Sequence, residues 1–433
     1  MNSLFNRGKL QIKKRTFPEW MVFTILIFPF AYGLLTQVLP LPGAIRFSLD
    51  AIIVFLFVGF FIKNRFMIKR SVLPSFVLIA LIFTYTLAVY VINFQSPFYY
   101  VWGVRNLFRF YAAFLIFTSF VEEDLATLLL KWLDALFWIN ALTSLVQFFV
   151  MGVRQDYLGG LFGASGGTNG YTLIFFSIVV SKSLLATFNG TENTILCICK
   201  CITSLLVAAM AEMKFYFFVF ILILIFTSAL TRITKRKLAI VIGAVLAVIV
   251  ASFLLAYIFE NSENFLTLER LVQLATKEHY SSQEDLNRLS AIPTLMKSYI
   301  TEPLQQIFGL GLGNCDTSQI SIFNSVFYQQ YSYLHYTWLT SAMLFLETGF
   351  VGLILYISFF VMCLVYSIRQ LKRGTGNRLF CQMGIVMSIL CCVLIFYNSS
   401  LRIEAAYMAY FVLALPFLSS TKKESKVDAE VLH

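Results

Sequence analysis

Arg105 and Arg109 stand four residues apart inside an apolar run, so on a helix they share one face. Asp50 lies about two turns inside the outer end of another apolar run, Glu212 and Lys214 fall in a short polar break, and Arg402 and Glu404 open the last apolar run. A charge in such surroundings is costly unless it faces a cavity or a partner. Each one alone is as readily a snorkelling or structural pair. Their gathering at one end predicts instead a polar, Arg-rich cavity. Lys131 and Asp134 read as a local pair at the opposite boundary. The chain has three histidines: His279 in a polar stretch, His433 at the last position, and His335 just before an apolar run. Imidazole titrates near neutral pH, which makes His335 the best-placed general base if the chemistry needs one. Arg288 is expected on the polar side of an amphipathic helix in the same polar stretch.

Other motifs carry less. The glycines from Gly159 to Gly170 (GGLFGASGGTNG) lack the Lys-Ser/Thr ending of a phosphate-binding loop. Gly309, Gly311 and Gly313 (GLGLGN) follow no predicted strand, so both stretches read as tight turns that let backbone approach a neighbour. No acidic pair of the DxD kind is present on the outer side, so no metal site and no cofactor are expected. Cys197, Cys199 and Cys201 have the wrong spacing for zinc, which prefers two to four residues between ligands. They read as small buried residues, Cys391 and Cys392 also lie in or beside apolar runs, and Cys315 alone gives no disulfide framework.

The elements that must position these residues follow from composition. The 433 residues are 59% hydrophobic and 13% charged, with net charge +11 and mean hydropathy +0.79. A soluble domain is nearer half apolar and a quarter charged. Apolar runs long enough for a bilayer helix, which takes about 20 residues, fall at about 19–38, 44–62, 72–93, 103–120, 128–150, 170–188, 194–211, 215–231, 238–258, 338–366, 379–397 and 403–419. The fold class expected is thus all-α and integral to a membrane, a single polytopic domain over 1–433 with about twelve transmembrane helices. Every cluster of four or more Lys and Arg falls on one side of that alternation, which by the positive-inside rule puts both termini in the cytoplasm. The net charge is explained by orientation, and no nucleic acid is implied. The basic stretch from Arg7 to Arg15 precedes a run too long for a signal-peptide core, so that run is expected to stay as the first span. Residues 259–337 then form one large extracytoplasmic loop between spans nine and ten. Ser281 to Glu284 looks like a capping box. Leu286, Leu289, Ile292, Leu295 and Met296 follow at helical spacing, and Asn264 to Ala275 gives a second amphipathic stretch. Such a loop should fold back over the membrane mouth as a lid.

Residues 286–352 resemble the O-antigen ligase and O-antigen polymerase superfamily of bacterial surface-glycan assembly. The resemblance is carried by Arg288 heading RLSAIPTLMKSY, Pro303, the Gly309–Gly313 turn, His335 in YLHYTWL, and Glu347-Thr348-Gly349-Phe350-Val351-Gly352, together with the span count and the place of the long loop. Where members commonly carry His-Asn this chain has His335-Tyr336, and where they often carry Ser-Arg it has Met213-Lys214. The resemblance implies a membrane glycosyltransferase of the bacterial plasma membrane whose donor is an oligosaccharide on a polyprenyl diphosphate in the outer leaflet. Guanidinium groups suit diphosphate because they stay charged and donate in pairs. The implied roles are Arg288 on the diphosphate with Lys214, Arg105 and Arg109 as helpers, His335 as the base that takes the acceptor proton, and Glu347 and Gly349 in support. The expected product is capsule, exopolysaccharide or the O-antigen of lipopolysaccharide, with a chain-length regulator as a possible partner protein.

Two further readings stay open. A ligase that moves a finished glycan to another acceptor uses the same parts. A lipid-linked sugar flippase would also want an Arg-rich cavity, but near the midplane. The absence of an evident internal repeat weighs against inverted-repeat transporter folds.

Overall fold

A computed structural model describes residues 15–38, 43–65, 67–259, 285–318 and 320–431. The capping box at Ser281–Glu284, the amphipathic stretch Asn264–Ala275, His279, His433 and the cations from Arg7 to Lys14 lie outside the described residues.

The described residues fold into helices in the order α1 (Phe17–Val38), α2 (Phe47–Lys63), α3 (Leu73–Ile92), α4 (Pro97–Phe120), α5 (Glu123–Phe149), α6 (Asn169–Phe188), α7 (Thr194–Met210), α8 (Lys214–Ala229), α9 (Lys235–Ile258), three short helices α10 (Ala291–Ser298), α11 (Pro303–Phe308) and α12 (Val326–Tyr331), then α13 (Thr340–Arg373), α14 (Arg378–Tyr397) and α15 (Ala406–Val431). Among the described residues seven helices are long and apolar enough to cross a membrane: Ala44–Lys63, Leu73–Ile92, Glu123–Phe149, Asn169–Phe188, Lys237–Ile258, Thr340–Arg373 and Arg378–Tyr397. Phe17–Gly33, Thr194–Met210, Lys214–Ala229 and Ala406–Leu418 are shorter apolar helices. Apolar side chains also cover the outside. Val54, Phe55, Val58 and Ile62 on α2 and Ile242, Leu246, Val250 and Phe253 on α9 are all exposed, an arrangement that suits lipid and not water. The protein is membrane-embedded.

The helices pack around α15, in which every residue from Ala406 to Leu418 is buried. α4 lies beside it, buried from Phe110 to Phe120 apart from the half-buried Ala112. The connections sort into two ends. At one, Arg15 pairs with Asp124 at 3.0 Å, Lys63 Nζ donates to Ser119 O at 2.6 Å, and Asn189 donates to Gln382 at 2.7 Å. At the other, Asn93 donates to Gly309 O, Gln95 to Leu312 O, Asn169 to Ala211 O and Thr340 N to Asn398 O. Thus the glycine turn, the short helices and the 398–405 segment gather at one end, with the breaks after α3 and α7.

Local chemistry corrects several expectations. Leu286 to Met296 do not form one helix: Leu286 N donates to Leu334 O at 3.0 Å, residues 288–290 turn, and α10 begins at Ala291. Pro293 is the reason. A proline has no N–H and clashes with the carbonyl four residues back, so it is tolerated only in a helix's first turn. Arg288 therefore sits in the turn before α10 instead of on its polar side. Asp50 lies in the first turn of α2, because Gly43–Arg46 is a separate 3-10 turn. The tenth predicted span is a helix broken at Gly349, whose φ of 61° and ψ of −167° are not helical. Asp134 is held by Lys182 and by Lys200 (3.0 Å), while Lys131 points outward.

The turn at Gly159–Gly163 is buried against α5. Gln147 Nε2 donates to Gly160 O at 2.9 Å, its Oε1 accepts from Gly160 N at 2.7 Å, and Asn140 Oδ1 accepts from Leu161 N at 2.8 Å. Non-helical backbone inside such a bundle persists only where protein groups satisfy it. Gln147→Leu leaves both Gly160 groups without these partners, each worth about 1–3 kcal/mol when buried. The expected result is a lower unfolding midpoint in detergent, read by differential scanning fluorimetry.

Candidate functional site

At the end that carries the glycine turn, Arg288 and His335 lie in facing chain segments joined by the Leu286–Leu334 hydrogen bond. The Arg288 guanidinium sits 4.6 Å over the Tyr397 ring, and its Nε donates to Tyr397 O at 3.2 Å. On that same ring Phe215 stacks at 3.4 Å between centroids and 5° between planes. Tyr397 thereby links the segment of Arg288 to the start of α8, where Lys214 pairs with Glu212 at 3.0 Å. His335 has a left-handed backbone (φ 51°, ψ 26°), and its imidazole lies flat on Trp338 at 3.9 Å and 9°. Glu212 is also left-handed, with φ 52°. Such conformations persist when the surroundings over-determine them, and they concentrate at functional sites. Tyr336 is an anchor. Burial pushes its hydroxyl well above the usual phenol range, and it donates to Cys315 O at 2.7 Å. Burial likewise pushes the Cys315 thiol up from its ordinary value.

A second cluster lies at the same end, nearer the axis. Arg105 donates to Asp50 Oδ2 through Nε (3.0 Å) and Nη2 (2.7 Å) and lies over the rings of Phe47 and Trp102. Its neighbour Asn106 donates to Asp316 Oδ2 at 2.6 Å, and Arg402 Nη2 reaches the same oxygen at 3.1 Å. Arg109 donates to Glu404 Oε1 at 3.0 Å and to Arg402 O at 3.2 Å, while the Tyr171 hydroxyl holds Glu404 Oε2 at 2.6 Å. The expected Arg-rich cavity is thus a chain of ion pairs, in which Asp50, Asp316, Glu347 and Glu404 answer Arg105, Arg109 and Arg402. Arg105 and Arg109, expected to help hold a diphosphate, are each ion-paired here, as Lys214 is with Glu212. Buried ion pairs of this kind fix register, and losing one partner is strongly destabilising.

The glycine turn is tied to this second cluster through Glu347. Glu347 is fully buried, its Oε1 accepts from Gly313 N at 2.9 Å, and its Oε2 lies 3.7 Å from Arg402 Nη2. Leu310 N and Gly311 N donate to Leu346 O and Glu347 O, the carbonyls left open by the helix break. A Cβ at Gly309 would collide with the Glu347–Thr348 backbone, and one at Gly349 with Ile307 and Phe308. Glu347 and Gly349 thus close a backbone joint between the glycine turn and α13.

Tyr397, Asn398 and Asp316 were missed by sequence reasoning. Asp316 gives a faint signal, an acid three residues after the last glycine of the turn. Asn398, whose carbonyl accepts from both Thr340 N (3.1 Å) and Thr340 Oγ1 (2.7 Å), and Tyr397 give none. No protein-family model matches the chain, and no curated protein matches it.

Proposed function

We propose that this protein polymerises lipid-linked glycan repeat units on the outer face of a bacterial plasma membrane. In this reading the twelve apolar helices all span, both termini are cytoplasmic, and residues 259–337 cover the outer mouth. The observation that carries it is the linkage of the chain segments that bear Arg288, His335 and Lys214, through the Leu286–Leu334 hydrogen bond and the Tyr397 ring. The rim is also apolar where a lipid-borne donor would arrive: Ile320, Ile322, Val326 and Trp338 are exposed.

The reaction is an inverting glycosyl transfer. A sugar hydroxyl of the acceptor attacks the anomeric carbon of the donor, the bond from that carbon to the diphosphate oxygen breaks, and the hydroxyl proton passes to His335. The diphosphate leaves with the electron pair, stabilised by Arg288 and by Lys214, so it needs no acid. Oriented donors aimed at developing charge are commonly the largest catalytic contribution. Trp338 holds the imidazole plane, and the Tyr397 ring carries the guanidinium. Arg105 and Arg109 take a different part here, holding α2, α4 and the 402–404 segment in register behind the rim.

The purified protein, given a polyprenyl-diphosphate repeat unit with a chelator and no nucleotide, is expected to yield a ladder of longer lipid-linked glycans by gel or mass spectrometry. Transport of the donor across vesicles with no new glycosidic bond would overturn the reading in favour of a flippase. Transfer onto a foreign acceptor without elongation would make the enzyme a ligase.

A further inference from the structure

At the opposite end of the bundle, where Lys69, Arg70, Lys372 and Arg373 gather, a groove of about 420 Å³ opens beside α3, α13 and α15. Its walls are Leu78, Val361, Met362 and Val365, and its floor is Phe417, stacked on Tyr366 at 3.9 Å. Val361 and Val365 are partly exposed on the outer surface of α13, so the groove faces the surroundings of the bundle. Its polar end differs. Arg369 is exposed there, and Ser71 is 6% exposed with a buried Oγ that has no hydrogen-bond partner. Ser71 also lies just ahead of the α3 N-terminus, the positive end of the helix dipole. No carboxylate lines the groove.

A cation, an unused hydroxyl and a helix N-terminus at one end of an apolar slot match a molecule with an anionic phosphate head and an alkyl tail. We propose that this groove binds one anionic phospholipid of the leaflet on the basic side, its phosphate at Arg369 and Ser71 and one acyl chain along Leu78, Met362 and Phe417. Basic pockets between helices on the cytoplasmic side are suited to such headgroups. The site lies at the other end from the rim, so it stands whether or not the chain transfers sugars.

Native mass spectrometry of the delipidated full-length protein, titrated separately with phosphatidylglycerol and phosphatidylcholine, tests it. Retention of phosphatidylglycerol over phosphatidylcholine is expected. Arg369→Gln should weaken phosphatidylglycerol binding about fivefold, the effect of one cation beside an anionic lipid, and leave phosphatidylcholine unchanged. Val365→Trp, which fills the slot from its exposed side, should reduce both. Equal retention of the two lipids by the unaltered protein, or unchanged phosphatidylglycerol retention in both variants, would overturn the proposal. So would displacement of the lipid by an equal concentration of inorganic phosphate, which would mark a free-anion site.

Discussion

Arg288→Ala is expected to cut polymer formation from a lipid-linked repeat unit by about 10²–10³-fold, the usual cost of losing one oriented donor to a developing charge. The side chain is poised for that role by Tyr397, which supports the guanidinium from below and accepts from its Nε. Arg288→Lys keeps a positive charge but loses the planar fork and the stacking on the ring, so it should recover only part of the rate. His335→Ala belongs to the same experiment, with a loss of about 10²–10⁴-fold for a general base. Product ladders from purified protein, at matched amounts of protein with an unchanged elution profile, give the measurement. Near-normal product length from Arg288→Ala would remove Arg288 from the mechanism, and with it the main support for glycosyl transfer. The opposite result is expected for Arg105→Lys, where Asp50 still finds a cation and the rim is untouched.

Gly349→Val should prevent stable folding. With φ of 61° and ψ of −167° the residue occupies a region open essentially to glycine alone, where a side chain costs about 1–3 kcal/mol. The Cβ would in addition run into the Ile307–Phe308 backbone, which has no rotamer by which to yield. Overpacking of that kind adds about 1–3 kcal/mol or more, so the sum reaches the range that only a few kinds of substitution produce. The break it removes is the one that frees the Leu346 and Glu347 carbonyls for Leu310 and Gly311, so the whole glycine turn should detach. Aggregated protein on size exclusion, or an unfolding midpoint lowered by more than any other single change at this end, is the expected outcome. A variant that elutes and melts like the unaltered protein would show that the joint does not hold the site.

The helices themselves were legible in the sequence. Each of the twelve predicted apolar runs coincides with a helix, most ends agreeing within a few residues, because a long apolar stretch must satisfy its own backbone hydrogen bonds and only a helix does so within one segment. Pro293 fixes where α10 starts, a constraint that the helical spacing read from Leu286 onward left out. Arg288, His335, Glu347 and Gly349 were singled out by residue type and resemblance.

What could not be read was which groups meet. Arg105 finds Asp50 across 55 positions, Arg402 finds Asp316 across 86, and Arg109 finds Glu404 across 295. Cations that looked free to hold a diphosphate are neutralised by acids brought to them by packing. Tyr397 joins Arg288 to Phe215 for the same reason, and nothing in its neighbouring residues foretold it. The break at Gly349 exists because backbone from α11 presses against it. Helical structure answers to hydrogen bonds a few residues apart and to the apolarity of the chain around them, so the sequence alone determined it. Charge pairing and backbone joints answer to distances between segments far apart in the chain, and these are set only when the whole bundle closes.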